Sequence, residues 1–202
     1  MYARGGPRPQ PGTLNQILFE AVEKWNKPDA MLVRVGDSYA PISHATLLQR
    51  IRRVSYGLKS IGIQRGDRVA IMSENRPEWA IADFACLTSG VTDVPLYPSL
   101  PSEQCAYPLR DSGAVAIFVS TEAQAAKIAA IRGQIPAVKT VIIFDTSAAK
   151  HADMTFDALE QLEPPETRRR APRSSAPRRC GFSLTTWRPS STRQERPANR
   201  RA

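Results

Sequence analysis

The 202-residue chain carries 28 Lys+Arg against 19 Asp+Glu, a formal net charge of +9. That length suits one ordinary domain, or a smaller domain with a tail. Three cysteines, Cys86, Cys105 and Cys180, are too few and too scattered for a disulfide scaffold or a structural zinc site. No apolar run approaches the roughly 20 residues that span a bilayer, and the first dozen residues, with Arg4, Arg8 and three prolines, lack the apolar stretch of a secretory signal.

The charge is not evenly spread. Residues 1–166 hold 17 Lys+Arg and 18 Asp+Glu, a balance of −1. Residues 167–202 hold 11 Arg, no Lys and the single acid Glu195, a balance of +10. That tail also lacks Val, Ile, Met, Tyr and Asp, and Leu184 is its one large aliphatic residue. Such a composition cannot bury enough apolar surface to offset its ordering entropy. The expected organisation is therefore a flexible N-terminus at 1–11, a folded body at 12–163 and a disordered Arg-rich tail at 164–202. A nucleic-acid binder, which +9 first suggests, finds no support in the nearly neutral body.

In chain order, Thr13 is placed to cap a helix with Leu14, Ile17, Leu18, Ala21, Val22 and Trp25 on one face, ended by Pro28. Ala30–Val35 and Ser38–Ile42 read as a hairpin turning at Gly36-Asp37. Ser43 caps a longer helix with Leu47, Leu48, Ile51, Val54 and Leu58 inward, and Gly62 suits a left-handed C-terminal cap. Strand Val69–Met72 follows, then a helix opened by Pro77 and running to Ser89. Strand Val91–Tyr97, a helix from Pro101 to Asp111, strand Ala114–Val119, a helix capped by Thr121 and running to Arg132, and strand Val138–Phe144 complete the pattern. This alternation predicts a doubly wound α/β fold, a parallel sheet covered by helices.

The body holds no GxGxxG, no P-loop, no CxxC and no HExxH. His44 and His151 read as solvated surface residues, and Cys86 and Cys105 as core packing. The turn Ser73-Glu74-Asn75-Arg76-Pro77 lies where open α/β sheets place ligands. The same segment suits a plain helix start, with Asn75 or Glu74 as the cap. Asn75, Arg76 and Trp79 are the residues at the most plausible site-facing turn, without an assigned role; no catalytic, cofactor-binding or metal-binding residue is assigned. Two residues strain the pattern: Pro108 inside a helix, which is expected to kink or shorten it, and Asp93 in an apolar strand, which needs a partner.

The run GDRVAIMSENRPEWAIADFACLTSGVTDVPLYPSLPSEQ at 66–104 resembles the N-terminal part of the AMP-forming acyl-CoA synthetases of the adenylate-forming superfamily. The opening helix, the hairpin and LKSIGIQRGDRV resemble that family in the same order, over about residues 12–163. The segments ENRPEW (Glu74–Trp79) and PLYPS (Pro95–Ser99) look most like its long-chain fatty-acid branch. The resemblance implies ligation of a fatty acid to coenzyme A, using ATP and Mg2+ and passing through an acyl-adenylate. It also implies a cytoplasmic enzyme with room for peripheral membrane association, and it leaves the oligomeric state open. The family's phosphate loop, often written YTSGTTGxPKG, maps onto no residue of this chain as written.

The tail accounts for that gap. Read in the frame that starts on the last base of each codon, Leu184–Asn199 (LTTWRPSSTRQERPAN) is compatible at every position with DDLATIIYTSGTTGE. The expectation is a change of reading frame between about Glu163 and Arg178, leaving an N-terminal part of a long-chain fatty-acid–CoA ligase that is inactive alone. Two alternatives stand beside it. One is a non-catalytic interaction protein whose Arg-rich tail binds anionic partners; the other is a different acid–thiol ligase branch of the same superfamily.

Overall fold

In a computed structural model, residues 12–146 and 149–162 are described. The expectations for the N-terminus and for the Arg-rich tail lie outside those residues. Helix α1 (Leu14–Trp25) starts where Thr13 Oγ1 accepts the Gln16 N–H. It ends at Asn26, in the left-handed region (φ 37°), and not at Pro28. The wide apolar face expected of α1 is only partly covered: Leu18 is buried, while Leu14 and Ile17 are each 61% exposed. The helix packs against its neighbours along the Leu18–Val22 side, so Leu14 and Ile17 fall on its open flank.

Strands β1 (Met31–Val35) and β2 (Ser38–Ile42) form the hairpin, with Gly36 at φ +59° in its two-residue turn. Helix α2 (His44–Ser60) is capped by Ser43, whose hydroxyl accepts the Thr46 N–H. His44 is not simply solvated, because its Nδ1 accepts the Lys27 N–H at 3.0 Å and ties the α1–hairpin connection to α2. Helix α2 closes in a Schellman arrangement: Ile63 N–H bonds to Leu58 O and Gly62 N–H to Lys59 O. Gly62, at φ +94°, occupies the left-handed position.

The main sheet has strand order β4-β3-β5-β6-β7, all parallel. Its strands are β3 (Arg68–Met72), β4 (Thr92–Leu96), β5 (Ala116–Val119), β6 (Thr140–Ile143) and β7 (Met154–Thr155). The connecting helices are α3 (Pro77–Ser89), α4 (Ser102–Ser112), α5 (Glu122–Ala130) and α6 (Phe156–Glu160). A 3-10 turn at Arg132–Gln134 follows α5, which is therefore shorter than expected.

Alternation along the strands divides the core in two. Val69, Ile71, Ala116, Phe118 and Ile142 face α1, α2, α3 and α6. Ala70, Met72, Ile117, Val119, Val141 and Ile143 face α4 and α5. Helices on both faces of a parallel sheet make this an α/β fold of the doubly wound kind, as the sequence predicted. The pair β7–α6 was not anticipated. Thr155 caps α6 by accepting the Ala158 N–H, and Phe156 and Leu159 are buried beneath it. Gly57 of α2 permits this close approach, because a Cβ there would press on the Leu159 main-chain oxygen.

Three local expectations are corrected, and a fourth, that Asp93 needs a partner, is answered. Neither Asn75 nor Glu74 caps α3: Arg76 is the N-cap residue and makes no side-chain cap bond, while Glu74 is engaged elsewhere. Pro101 is the N-cap of α4 and not its first residue. Pro108 leaves α4 continuous to Ser112, so the helix absorbs the missing N–H without ending. Asp93 finds a partner in Asp83 of α3, a second carboxyl group. Among the described residues β4 is an edge strand, which explains how Asp93 and Pro95 are tolerated there.

Candidate functional site

The order of the sheet reverses direction between β3 and β5. The chain leaves β3 to one side for β4, then crosses back to the other side for β5. Crevices outside the carboxyl ends of strands at such a point are where open α/β sheets bind ligands. Here those ends lead into Ser73–Arg76 after β3, Ser120 after β5, and Phe144–Asp145 after β6.

Polar side chains from these turns converge. Gln124, in the first turn of α5 and almost fully buried, accepts the Ser120 N–H at 2.7 Å through Oε1. Its Nε2 donates to Glu74 Oε1 at 2.8 Å. Gln124 is also the capping-box residue for Thr121, so one side chain fixes the start of α5 and the β3 turn together. Arg76 Nη1 donates to Ser120 Oγ at 3.1 Å and to Asp145 Oδ1 at 2.8 Å, and its Nε donates to Glu78 Oε2 at 2.7 Å. Partial burial works against the Arg76 charge, but the bonds to Asp145 and Glu78 outweigh it and hold its pKa above the ordinary value.

The network continues through Glu78 to Arg50 of α2 at 3.9 Å, and from Arg50 Nε to Glu160 of α6 at 2.8 Å. Phe144 and Phe156 lie under the two guanidinium groups at 5.5 and 5.6 Å from Arg76 and Arg50, respectively. Those rings meet edge to face at 5.0 Å, and both contact Phe118. A polar cleft of about 310 Å³ opens between Arg50, Arg76, Asp145 and Asp157. A second, more apolar cleft of about 680 Å³ lies between the hairpin and the start of α3, lined by Leu32, Tyr39, Asn75, Arg76, Pro77 and Trp79.

Asn75, Arg76 and Trp79 thus meet at one cleft. Arg76 additionally reaches the first cleft, where it holds three turns in place. Sequence reasoning missed Ser120, Gln124 and Asp145, which lie 44 to 69 residues from their partners. For Gln124 a local signal existed, the T-x-x-Q capping-box spacing after Thr121.

Chemically the cluster is a clamp. Both guanidinium groups are already answered by Glu78, Asp145 and Glu160, so a polyphosphate brought here would meet carboxylates and no unpaired cation. No group of three or more metal-ligating side chains occurs among the described residues. Among the described residues, the clamp therefore offers the phosphates of ATP no free cation. The histidines add no base to the cleft: His44 braces a loop, and His151 pairs with Glu122 at the start of α5.

A parallel sheet wound on both faces, with a polar clamp at its switch point, defines an α/β protein of the kind that binds ligands at strand ends. The sequence signature of the family described as AMP-binding enzyme matches residues 18–184, and the chain belongs to that family. It is 37% identical over 178 residues to the long-chain-fatty-acid–CoA ligase FadD15 of Mycobacterium bovis, covering 86% of this chain and 29% of that protein. It is 28% identical over 153 residues to the long-chain-fatty-acid–CoA ligase ACSBG1 of Rattus norvegicus, covering 76% of this chain and 21% of the relative. The chain therefore spans less than a third of the length of these relatives.

Among solved structures, the fold is similar to an anthranilate CoA ligase, AuaEII, in complex with anthranoyl-AMP (TM-score 0.64, 19% identity, 74% of this chain and 28% of that one). It is also similar to the acetoacetyl-CoA synthetase of Streptomyces lividans (TM-score 0.65, 18% identity, 74% and 25%). At those identities the likeness speaks for the fold.

Proposed function

We propose that this chain corresponds to the front part of a long-chain fatty-acid–CoA ligase and does not catalyse the ligation by itself. The observation that carries the reading is the 37% identity to FadD15 over 178 residues. The reaction of the whole enzyme joins a fatty acid to coenzyme A. The carboxylate first displaces diphosphate from ATP, and the thiol then displaces AMP from the acyl-adenylate. Mg2+ supplies neutralising charge to the phosphates when bound. Such chemistry needs its groups placed together, and this chain covers 29% of the relative's length.

Within that enzyme the described residues act as scaffold. The Arg76 clamp and the Gln124 bonds fix the turns at the carboxyl ends of β3, β5 and β6. The Arg50–Glu160 pair fixes the helix that leads into the segment where the phosphate loop is expected. The reading of Leu184–Asn199 in the alternate frame supports the view that this segment is encoded but translated out of frame.

Purified chain, incubated with ATP, Mg2+, palmitate and coenzyme A, is expected to release no diphosphate; measurable release overturns the claim of inactivity. The nucleotide sequence around codons 160–202 tests the rest. An alternate frame that does not encode the loop and continue into family sequence refutes the frame reading.

A further inference from the structure

The seam between Lys27 and His44 uses both main-chain groups of one residue. Asn26 turns the chain out of α1 in the left-handed region (φ 37°). Pro28 then holds Lys27, the residue before it, extended. An extended residue presents its N–H and its carbonyl to the same side. Lys27 accordingly accepts the His44 N–H at 2.9 Å and donates its own N–H to His44 Nδ1 at 3.0 Å. The two bonds join residues 17 apart and close the base of the hairpin onto the start of α2.

Nδ1 accepts that N–H only through its lone pair. The ring in the seam is therefore the neutral imidazole with its proton on Nε2. In the imidazolium both ring nitrogens are donors, so a proton on Nδ1 would face the Lys27 N–H and the bond is lost. The new charge would also stand in the first turn of α2, at the positive end of the helix dipole. Histidine is the side chain suited to such a change between pH 5 and 8.

The seam lies beside the larger cleft. One wall of that cleft is the hairpin, through Leu32, Arg34 and Tyr39, and the other is the start of α3, through Asn75 and Trp79. The hairpin meets the core through its basal pair, Met31 and Ile42, while Leu32 and Tyr39 are 61% and 66% exposed. A hairpin carried from its base moves when its base is released.

We propose that His44 is a proton-operated pin: as neutral imidazole it holds the hairpin as one wall of the cleft, and as imidazolium it releases Lys27 and lets the hairpin swing away from Trp79. The proposal is independent of the ligase reading, because it rests on the seam and the hairpin alone. The charged side chains on the elements that meet here are Glu23, Lys24 and Lys27 at the end of α1, Asp29 in the connection, and Arg50 on α2. Arg34 and Asp37 pair with each other at the far turn of the hairpin. Asp83 of α3, which burial above all pushes up to about 6, changes charge in the same range, so the test reads one amide and one ring.

Exchange of the Lys27 amide, corrected for its intrinsic rate, is followed by NMR on the full 202-residue chain from pH 5 to 8, together with the ring proton shifts of His44. Protection at Lys27 is expected to fall about fivefold on acidification, the worth of one hydrogen bond, in step with the His44 shifts. His44→Asn supplies an amide oxygen as acceptor that takes up no proton in this range, so it should keep Lys27 protected throughout. His44→Ala should leave Lys27 unprotected at every pH. Acrylamide quenching of Trp79, read in a Trp25→Phe, Trp187→Phe background, should rise at pH 5 and not do so once His44→Asn is added. The profile of the parent chain decides the matter should a variant fail to fold. Lys27 protection that is constant with pH, that changes out of step with the His44 ring, or that falls equally in His44→Asn overturns the proposal. So does Trp79 quenching that is the same at pH 5 and pH 8.

Discussion

Replacing Gly57 by alanine pits two effects of opposite sign against each other. In a helix interior, alanine is favoured over glycine by about 1 kcal/mol. By that reasoning alone Gly57→Ala stabilises the protein. The added Cβ, however, would press on the Leu159 carbonyl oxygen and lie 2.7 and 2.9 Å from Leu159 Cγ and Cδ1. The carbonyl belongs to the α6 main chain, so no rotamer change relieves it and α6 must move. Overpacking of this kind costs roughly 1–3 kcal/mol. Helix α6 buries Phe156 and Leu159, and losing their docking outright would cost about 3–6 kcal/mol at 1.5–3 kcal/mol per side chain. The expected outcome lies between these limits, a net loss of about 2 kcal/mol. Urea unfolding should report it as a midpoint lowered by about 1 M at a typical slope. In a Leu159→Ala background the Gly57→Ala penalty should persist, because the carbonyl remains. An unchanged or raised midpoint for Gly57→Ala refutes the argument that α6 is held at main-chain contact.

The remaining expectations concern single side chains. Asp83 has a raised carboxyl pKa of about 6 in the fold, so the folded state binds the extra proton; its stabilising effect is complete at low pH and fades as pH rises through about 6. With burial and the Asp93 charge opposing its ionisation, Asp83→Asn should be more stable than the parent at neutral pH, with the difference closing toward about pH 4; a constant difference across that range contradicts the assignment. Pro108→Ala restores an amide N–H within α4 and should raise stability by roughly 1–3 kcal/mol, read as a higher melting temperature; a loss would mean that the proline ring is needed for packing. Gln124→Met removes the bonds to Ser120 N–H and Glu74. Since Ser120 N–H keeps Met72 O as a second acceptor, the expected cost is only about 1 kcal/mol, and slower amide exchange at Ser120 in the variant would count against the network.

The sequence was most legible where structure is made locally. Thr13, Ser43 and Thr121 each cap a helix by accepting an N–H three residues on, and a bond of that span is visible in a short window of sequence. The apolar runs of β3, β5 and β6 were equally plain, since strands buried on both faces need no alternation. The pair β7–α6 was missed because a two-residue strand and a five-residue helix carry too little periodicity, although Thr155 followed by Phe156 and Leu159 had the right spacing. The candidate site was half legible. The turn holding Arg76 follows from the position of Pro77 after a strand, but Ser120 and Asp145 reach it only through the crossover. Asp93 looked anomalous for an apolar strand, and its place at the edge among the described residues was not contained in its own neighbourhood of sequence.

The contact between α2 and α6 has a consequence for synthesis. Arg50 and Glu160 are 110 residues apart, so the side of α2 that receives Phe156 and Leu159 has no partner until residue 160 has left the ribosome. At 5–20 residues per second that interval is roughly 5–20 s, far longer than the time in which a helix forms. Part of the apolar stripe on α2 is therefore presented to chaperones, or to other nascent chains, before the chain can close over it. Substitutions that weaken the α2–α6 seat are expected to lower the yield of folded protein in cells more than their effect on equilibrium stability would suggest.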